Sequence, residues 1–231
     1  MSQESRCSAI NRKKFYEKEC PQQKGGETPE RGKLFAGWIG SGKTVLDIGC
    51  GDGAGSSDWV TNGNKVFGIE IAEAPAGKAL SRGIDVTVAD VEHGIPFLKE
   101  TLDVVVAGEV IEHWYDTDAF LREINRVLRY GGELMLSTPN IASLGRRLML
   151  LIGRNPFCEF SVEEKVGGLN PVGHIRYFTQ RDILHMLRKH GFGIEAVTSD
   201  GFNCGLFQSV ALARMFPSLA WRHILKAAKE R

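Results

Sequence analysis

The stretch Val45-Leu46-Asp47-Ile48-Gly49-Cys50-Gly51-Asp52-Gly53-Ala54-Gly55-Ser56 constrains the fold more than any other part of this chain. Apolar residues around a single acid read as a short buried strand. Glycines then occupy Gly49, Gly51 and Gly53, and Ala54-Gly55-Ser56-Ser57 opens a helix. A strand, a glycine-rich turn and a helix N-terminus bring a ligand against bare backbone N–H groups.

From Thr44 onward strand-like and helix-like runs alternate. Strand Thr44–Ile48 leads to helix Gly55–Asn62, and strand Lys65–Ile69 ends at Glu70 before helix Ala74–Arg82. Strand Asp85–Ala89 ends at Asp90, and strand Leu102–Ala107 ends at Gly108-Glu109. Helix Thr117–Leu128 places Phe120, Leu121, Ile124, Val127 and Leu128 on one face; Gly131-Gly132 then stops it and starts strand Glu133–Ser137. Such alternation predicts an α/β fold with a parallel sheet, right-handed crossovers and helices on both faces. The alternation breaks at Thr138-Pro139-Asn140, and residues 141–176 read as a lid or insert with Leu144–Ile152 helical. Thr179 caps helix Gln180–His190. Runs Phe192–Thr198 and Leu206–Ala213 then read as an antiparallel edge hairpin, and Pro217–Lys229 as a closing amphipathic helix. The expected organisation is a polar leader over 1–30, a domain over 31–216 and a C-terminal helix over 217–231. Within that last helix, Phe216, Leu219, Trp221 and Leu225 are expected at core or dimer contacts.

Two nucleotide readings of the turn fail on context. Gly37-Trp38-Ile39-Gly40-Ser41-Gly42-Lys43-Thr44 matches a phosphate-binding loop, but that loop must follow a strand and open a helix. Here a helix-like stretch, Arg31–Ile39, precedes it and a strand follows. The spacing Gly49-x-Gly51-x-x-Ala54, with Glu70 some way on, also fits a dinucleotide fingerprint. Asp47 would oppose a pyrophosphate, however, and the closing hairpin is unlike a second mononucleotide half.

A ligand with a cationic head, a ribose and an adenine uses all the acids. Gly49, Cys50 and Gly51 let backbone approach, and Asp47 faces the cation. Glu70, followed by Ile71, accepts from the ribose hydroxyls. Asp90 accepts from the adenine amine beside the N–H of Val91. That ligand is S-adenosylmethionine. At this point the chain resembles the class I S-adenosylmethionine-dependent methyltransferases over roughly residues 43–214. The resemblance rests on Val45–Gly53, Gly68-Ile69-Glu70, Val88-Ala89-Asp90-Val91, Leu102–His113 and Leu128–Leu134. It implies a Rossmann-like, seven-stranded, mostly parallel sheet with an antiparallel last strand, Gly108 at the cofactor, and S-adenosylhomocysteine as product.

Acceptor chemistry is expected in Gly108-Glu109-Val110-Ile111-Glu112-His113-Trp114. The E-x-x-E-H pattern of Glu109, Glu112 and His113 resembles that of the ubiquinone-biosynthesis O-methyltransferases. It is also similar to the small-RNA 3′-terminal 2′-O-methyltransferases, which add a later histidine; here that position would be His174. The resemblance leaves three uses open: His113, Glu112 and His174 as base and positioning groups, a divalent ion, or a purely structural role. No metal ligand is assigned. The insert is similar to bacterial methyltransferases of saccharide and natural-product pathways, which makes a small-molecule hydroxyl the expected acceptor. RNA 3′-end methylation and a non-catalytic, cofactor-binding regulator are the alternatives.

Composition narrows the partners. A formal net charge of +1 gives no bulk attraction for nucleic acid. Five cysteines without a C-x-x-C pair suggest neither zinc knuckle nor disulfide framework. Met1–Cys20 is charged throughout and lacks a signal-peptide core, so a cytoplasmic protein is expected. No apolar run is long enough to span a bilayer. Leu144–Arg154 mixes Leu and Met with arginines; it reads as a packed helix with solvated arginines, and leaves peripheral membrane contact open.

Overall fold

The computed structural model describes residues 29–157, 173–203 and 208–231. The expected leader, four of the cysteines (Cys7, Cys20, Cys158 and Cys204) and much of the expected insert lie outside these residues. The chain divides into two compact units, residues 1–96 and 97–231.

The first unit holds α1 (Pro29–Ile39), β1 (Thr44–Ile48), α2 (Ser57–Thr61), β2 (Lys65–Glu70), α3 (Glu73–Ser81) and β3 (Asp85–Val88). β1 pairs parallel with β2 from Thr44↔Lys65 to Ile48↔Ile69, and β2 pairs parallel with β3 from Phe67↔Asp85 to Glu70↔Val88. Parallel register brings the carboxyl ends of all three strands to one edge, where Gly49, Glu70 and Asp90 follow. The strands are short and rich in Val and Ile, and Val45, Leu46, Ile48, Val66 and Ile69 are buried. Asn64 ties the entry loop down: its amide donates to Gly40 O and Trp59 O at 2.9 Å, and Oδ1 accepts from Lys43 N at 2.9 Å. The sequence that matches a phosphate loop is therefore the turn leading into β1.

The second unit holds β4 (Leu102–Gly108), α4 (Thr117–Val127), β5 (Leu128–Pro139), α5 (Leu144–Leu151), α6 (Gln180–Lys189), β6 (Phe192–Thr198), the short pair β7 (Phe202–Asn203) and β8 (Gln208–Ser209), α7 (Val210–Met215) and β9 (Arg222–Lys229). β4 and β5 run parallel, with Gly108 opposite Ser137. α4 starts where Asp116 Oδ1 accepts from Ala119 N at 2.8 Å, and it buries Phe120, Leu121, Ile124 and Val127. Thr179 and Asp182 form a reciprocal capping box that starts α6.

Three expectations are corrected here. β5 begins at Leu128 and runs through Gly131-Gly132; Gly131 takes φ 69°, and the pairing with β4 shifts register at this point. Of the expected run Leu206–Ala213, the described part from Gln208 is not the partner of β6: β8 is a two-residue strand and α7 follows it. The closing helix is instead a 3-10 turn (Pro217–Leu219) followed by β9. β9 is antiparallel to both β5 and β6, from Glu133↔Ala228 to Pro139↔Arg222 and from Phe192↔Lys229 to Thr198↔Ile224. The last strand is thus antiparallel as expected, but it lies between two strands rather than in an edge hairpin. Inside the pair, Ile224, Leu225 and Ala227 are buried, whereas Phe216 outside it stands exposed. Three strands in the first unit's sheet and four in the second's make up the seven expected. Among the described residues no helix is long and apolar enough to cross a membrane.

Candidate active site

In the first unit the glycine turn satisfies its own amides. Gly49 N and Cys50 N both donate to Ile69 O, at 2.8 and 3.2 Å, and Gly53 N donates to Cys50 O at 2.9 Å. Gly51 N donates to Glu70 Oε2 at 3.0 Å, and Ala54 N to Asp52 Oδ1 at 3.1 Å. The expectation of bare N–H groups is corrected for these positions: the amides are spent inside the protein, as a turn not built around phosphate requires. What the glycines supply is conformation and room. Gly51 has φ +55° with no atom within 4 Å of where a Cβ would stand. At Gly53, with φ +75°, a Cβ would sit 2.6 Å from Ile84 Cδ1. Gly68, opposite Asp47, leaves the space that Cys50 Sγ fills.

The acids lie around this turn. Glu70 is buried and accepts from Gly51 N through one oxygen and from Ala72 N at 2.9 Å through the other. Burial raises its pKa against the pull of these backbone bonds. Each carboxylate oxygen has a second acceptor position, so two further hydroxyls can bond there. Asp47 is buried and accepts from Ser56 Oγ. Asp90 caps a 3-10 turn over Val91–His93, its Oδ1 accepting from Glu92 N at 3.1 Å. Ile71 follows β2 directly, half-buried. Burial, with Asp47 and Glu70 nearby, drives the Cys50 thiol pKa up, so it stays protonated and unreactive.

In the second unit β4 ends at Gly108, and Glu109 takes a left-handed φ of 60°. A non-glycine residue there is strained by about 1–3 kcal/mol and must be held. Ser137 holds it twice: its carbonyl accepts from Glu109 N at 2.9 Å, and its hydroxyl donates to Glu109 Oε1 at 2.8 Å. Arg222 Nε lies 3.1 Å from the same oxygen, while its NH1 donates to Asp200 Oδ2 at 2.7 Å. Ser137, Asp200 and Arg222 have no role in the sequence reading. Arg222 arrives on β9, and no local pattern links it to Glu109.

Glu112 is fully buried in the 3-10 turn Ile111–His113. Thr138 Oγ1 donates to its Oε2 at 3.0 Å, and Oε1 has no hydrogen-bond partner among the described residues. Desolvation, reinforced by Glu109, pushes its pKa well above the ordinary carboxylate range. Its carbonyl accepts from Ile175 N and Arg176 N at 2.9 and 3.0 Å, which brings His174 alongside. His174 Nε2 lies 3.8 Å from Glu112 Oε1, and the His113 and His174 ring centroids are 4.8 Å apart. His113 Nδ1 faces Gly173 O at 3.2 Å; because a carbonyl only accepts, this nitrogen carries the proton and Nε2 keeps the lone pair. Burial lowers the pKa of His113 to about 4. Burial, with His113 and Arg146, lowers that of His174 to about 3. Both rings are neutral at pH 7. One ligand atom from each of Glu112, His113 and His174 fits within 4.8 Å, whereas Glu109 of the same E-x-x-E-H run is taken up by Ser137 and Arg222.

The methyltransferase domain family model matches residues 23–197 of the chain. A probable S-adenosylmethionine-dependent methyltransferase of Mycolicibacterium smegmatis is 31% identical over 76% of this chain and 59% of its own length. A ubiquinone biosynthesis O-methyltransferase of Pseudomonas syringae is 36% identical over 43% of this chain and 46% of its own. The chain thus spans about half to three-fifths of the length of these relatives. Among solved structures, the 1,6-didemethyltoxoflavin-N1-methyltransferase of Burkholderia thailandensis, with its substrate and S-adenosylhomocysteine bound, aligns with a TM-score of 0.65 at 13% identity. That alignment covers 100% of this chain and 92% of the other. The likeness shows the fold: the Rossmann-like arrangement expected from the strand–turn–helix alternation.

Proposed function

This chain belongs to the methyltransferase domain family, among the class I S-adenosylmethionine-dependent enzymes, and on that premise we propose that it methylates a hydroxyl oxygen of a small molecule. Saccharide, quinone and natural-product alcohols are the acceptor classes in view. The observation that carries the reading is the Glu112–His113–His174 group: two neutral imidazoles beside a buried carboxyl, Glu112 and His113 in the turn after β4 and His174 ahead of α6.

In this reading Glu70 accepts from the ribose hydroxyls, Asp47 provides negative potential for the cationic end, and Asp90 with Val91 N–H meets the adenine. Gly49, Cys50, Gly51, Ile71 and Gly108 give the cofactor backbone to lie against. The transfer is in-line: the sulfonium C–S bond breaks as the C–O bond forms, leaving S-adenosylhomocysteine. Alignment in a water-excluded pocket does most of the work. The acceptor proton passes to a neutral imidazole, His113 Nε2 or His174, and Glu112 orients the pair.

The same group also fits a divalent ion. Neutral imidazoles, one held as a tautomer by Gly173 O, and a carboxyl oxygen lacking a hydrogen-bond partner among the described residues make a nitrogen–oxygen donor set. Imidazoles of such low basicity are weak general bases, which favours this second reading. A bound ion would lower the acceptor hydroxyl's pKa. Glu112, His113 and His174 would hold it, and Glu109, through Arg222, would fix the turn that carries them.

The test is a mass-spectrometric screen for gain of one methylene across saccharide, quinone, natural-product and short RNA acceptors with S-adenosylmethionine. Methylation of a small-molecule alcohol is expected. Methylation of the RNA alone, or no turnover with any acceptor despite cofactor binding, would replace the proposal by one of its alternatives. Metal analysis, with assays in chelator and with Glu112→Gln, separates base from ion: full wild-type activity in chelator ends the ion reading.

A further inference from the structure

α5 turns its apolar side outward. Arg146 is buried, its guanidinium 5.0 Å from the Trp221 ring centroid. Leu148, Leu150 and Leu151, with Ile152 just beyond the helix, are 42%, 65%, 80% and 67% exposed. Helical spacing places Arg147, Leu148 and Leu151 on the side opposite Arg146 and Met149, while Leu150, one turn after Arg146, is exposed on the flank beside it. The expected arrangement of solvated arginines over a packed apolar face is therefore corrected: Arg146 is inside and the leucines are outside. Four large apolar side chains in five residues facing water forgo the burial that ordinarily drives helix packing. The surrounding run 141–157 contains Arg146, Arg147 and Arg154 and no acid, and Arg147 and Arg154 are exposed.

The helix is held firmly at its start. Leu144 packs against a buried cluster of Phe202, Ala213 and Ala220. α7, which contributes Ala213 to that cluster, is followed by exposed Phe216 and ends in exposed Arg214 and Met215, the same combination of cation and large apolar side chain. We propose that the outward face of α5, with Arg147 and Arg154, docks on an anionic lipid bilayer. The leucines and Ile152 enter the boundary between headgroups and acyl chains, and the guanidinium groups meet lipid phosphates. An eight-residue helix lies on a membrane and cannot cross it. Charge argues against a second copy as the occupant, because a two-fold contact through this face would set arginines against arginines.

The experiment is co-sedimentation of the full chain with vesicles of phosphatidylcholine alone and of phosphatidylcholine with phosphatidylserine, at low and high salt. Wild type is expected on the anionic vesicles, with binding weakened by salt. Leu150→Ser/Leu151→Ser should lower partitioning roughly tenfold or more. Arg147→Gln/Arg154→Gln should remove the preference for anionic lipid and most of the salt dependence. Leu98→Ser, which changes a 78% exposed leucine elsewhere in the second unit, should bind as wild type. Thermal melts keep the comparison to folded protein, and these exposed side chains should leave them unchanged. Failure to bind either vesicle overturns the proposal, as does an equal loss in Leu98→Ser. So does light scattering that shows a dimer dissociated by Leu150→Ser/Leu151→Ser.

Discussion

His223 should make the protein acid-sensitive, and replacing it should remove a measurable share of that sensitivity. The side chain is fully buried on β9 opposite Thr138, and neither ring nitrogen has a hydrogen-bond partner among the described residues. Burial lowers its pKa from 6.5 to about 4, against a weaker upward pull from Asp182. The folded protein therefore holds a neutral ring where the unfolded chain would take up a proton below pH 6.5. Stability from this site is undiminished above pH 7, falls as pH drops from about 6.5 towards 4, and levels off once the folded ring protonates as well. At pH 5 the difference in proton binding is worth about 2 kcal/mol, and at pH 7.5 close to zero. His223→Leu, similar in size, removes this penalty together with the cost of two unpartnered polar atoms, itself about 1–3 kcal/mol for a buried group. Urea unfolding of both proteins at pH 7.5, 6 and 5 should show the variant at least as stable at neutral pH, with an advantage that grows by about 2 kcal/mol at pH 5. His113 and His174 shift in the same direction, so the variant retains part of the acid loss. Parallel pH profiles for the two proteins would refute the reasoning, as would a variant less stable than wild type at pH 5.

Three further outcomes are expected. Glu70→Ala leaves the amides of Gly51 and Ala72 without their acceptor and removes the carboxylate proposed to hold the ribose, so calorimetry should show S-adenosylhomocysteine binding weakened by about tenfold or more. Arg222→Met takes the cation away from buried Asp200 and half-buried Glu109; denaturant unfolding should show a loss of about 3–5 kcal/mol, partly recovered by adding Asp200→Asn. Gly53→Ala forces a Cβ to within 2.6 Å of Ile84 and 2.9 Å of Ala79 at a positive φ; about 1–3 kcal/mol of stability should be lost, visible as a lower melting temperature.

Much of the fold is legible in the chain because its signals are local. The β1 turn, the acids at the ends of β2 and β3, the Asp116 and Thr179 caps and the apolar face of α4 are each written within a few residues, and hydrophobic period and turn chemistry act at that range. The order of the glycines and acids points to the cofactor class for the same reason. What needed the tertiary structure are the contacts between residues far apart. Arg222–Lys229 holds two Lys, two Ala and a Leu and reads as helix, yet it forms β9, because pairing with β5 on one side and β6 on the other satisfies the backbone of all three strands at once. That placement carries Arg222 to Glu109 and Asp200, and His223 into the core. The glycine turn followed the same rule on a smaller scale: its amides went to Ile69 O and to the Glu70 carboxylate, partners that only the parallel pairing of β1 and β2 brings within reach. The sequence by itself determined the element types and the chemical groups at the strand ends. The tertiary structure decided which of those groups meet, because burial and backbone pairing are satisfied over the whole sheet and override the preference of any one segment.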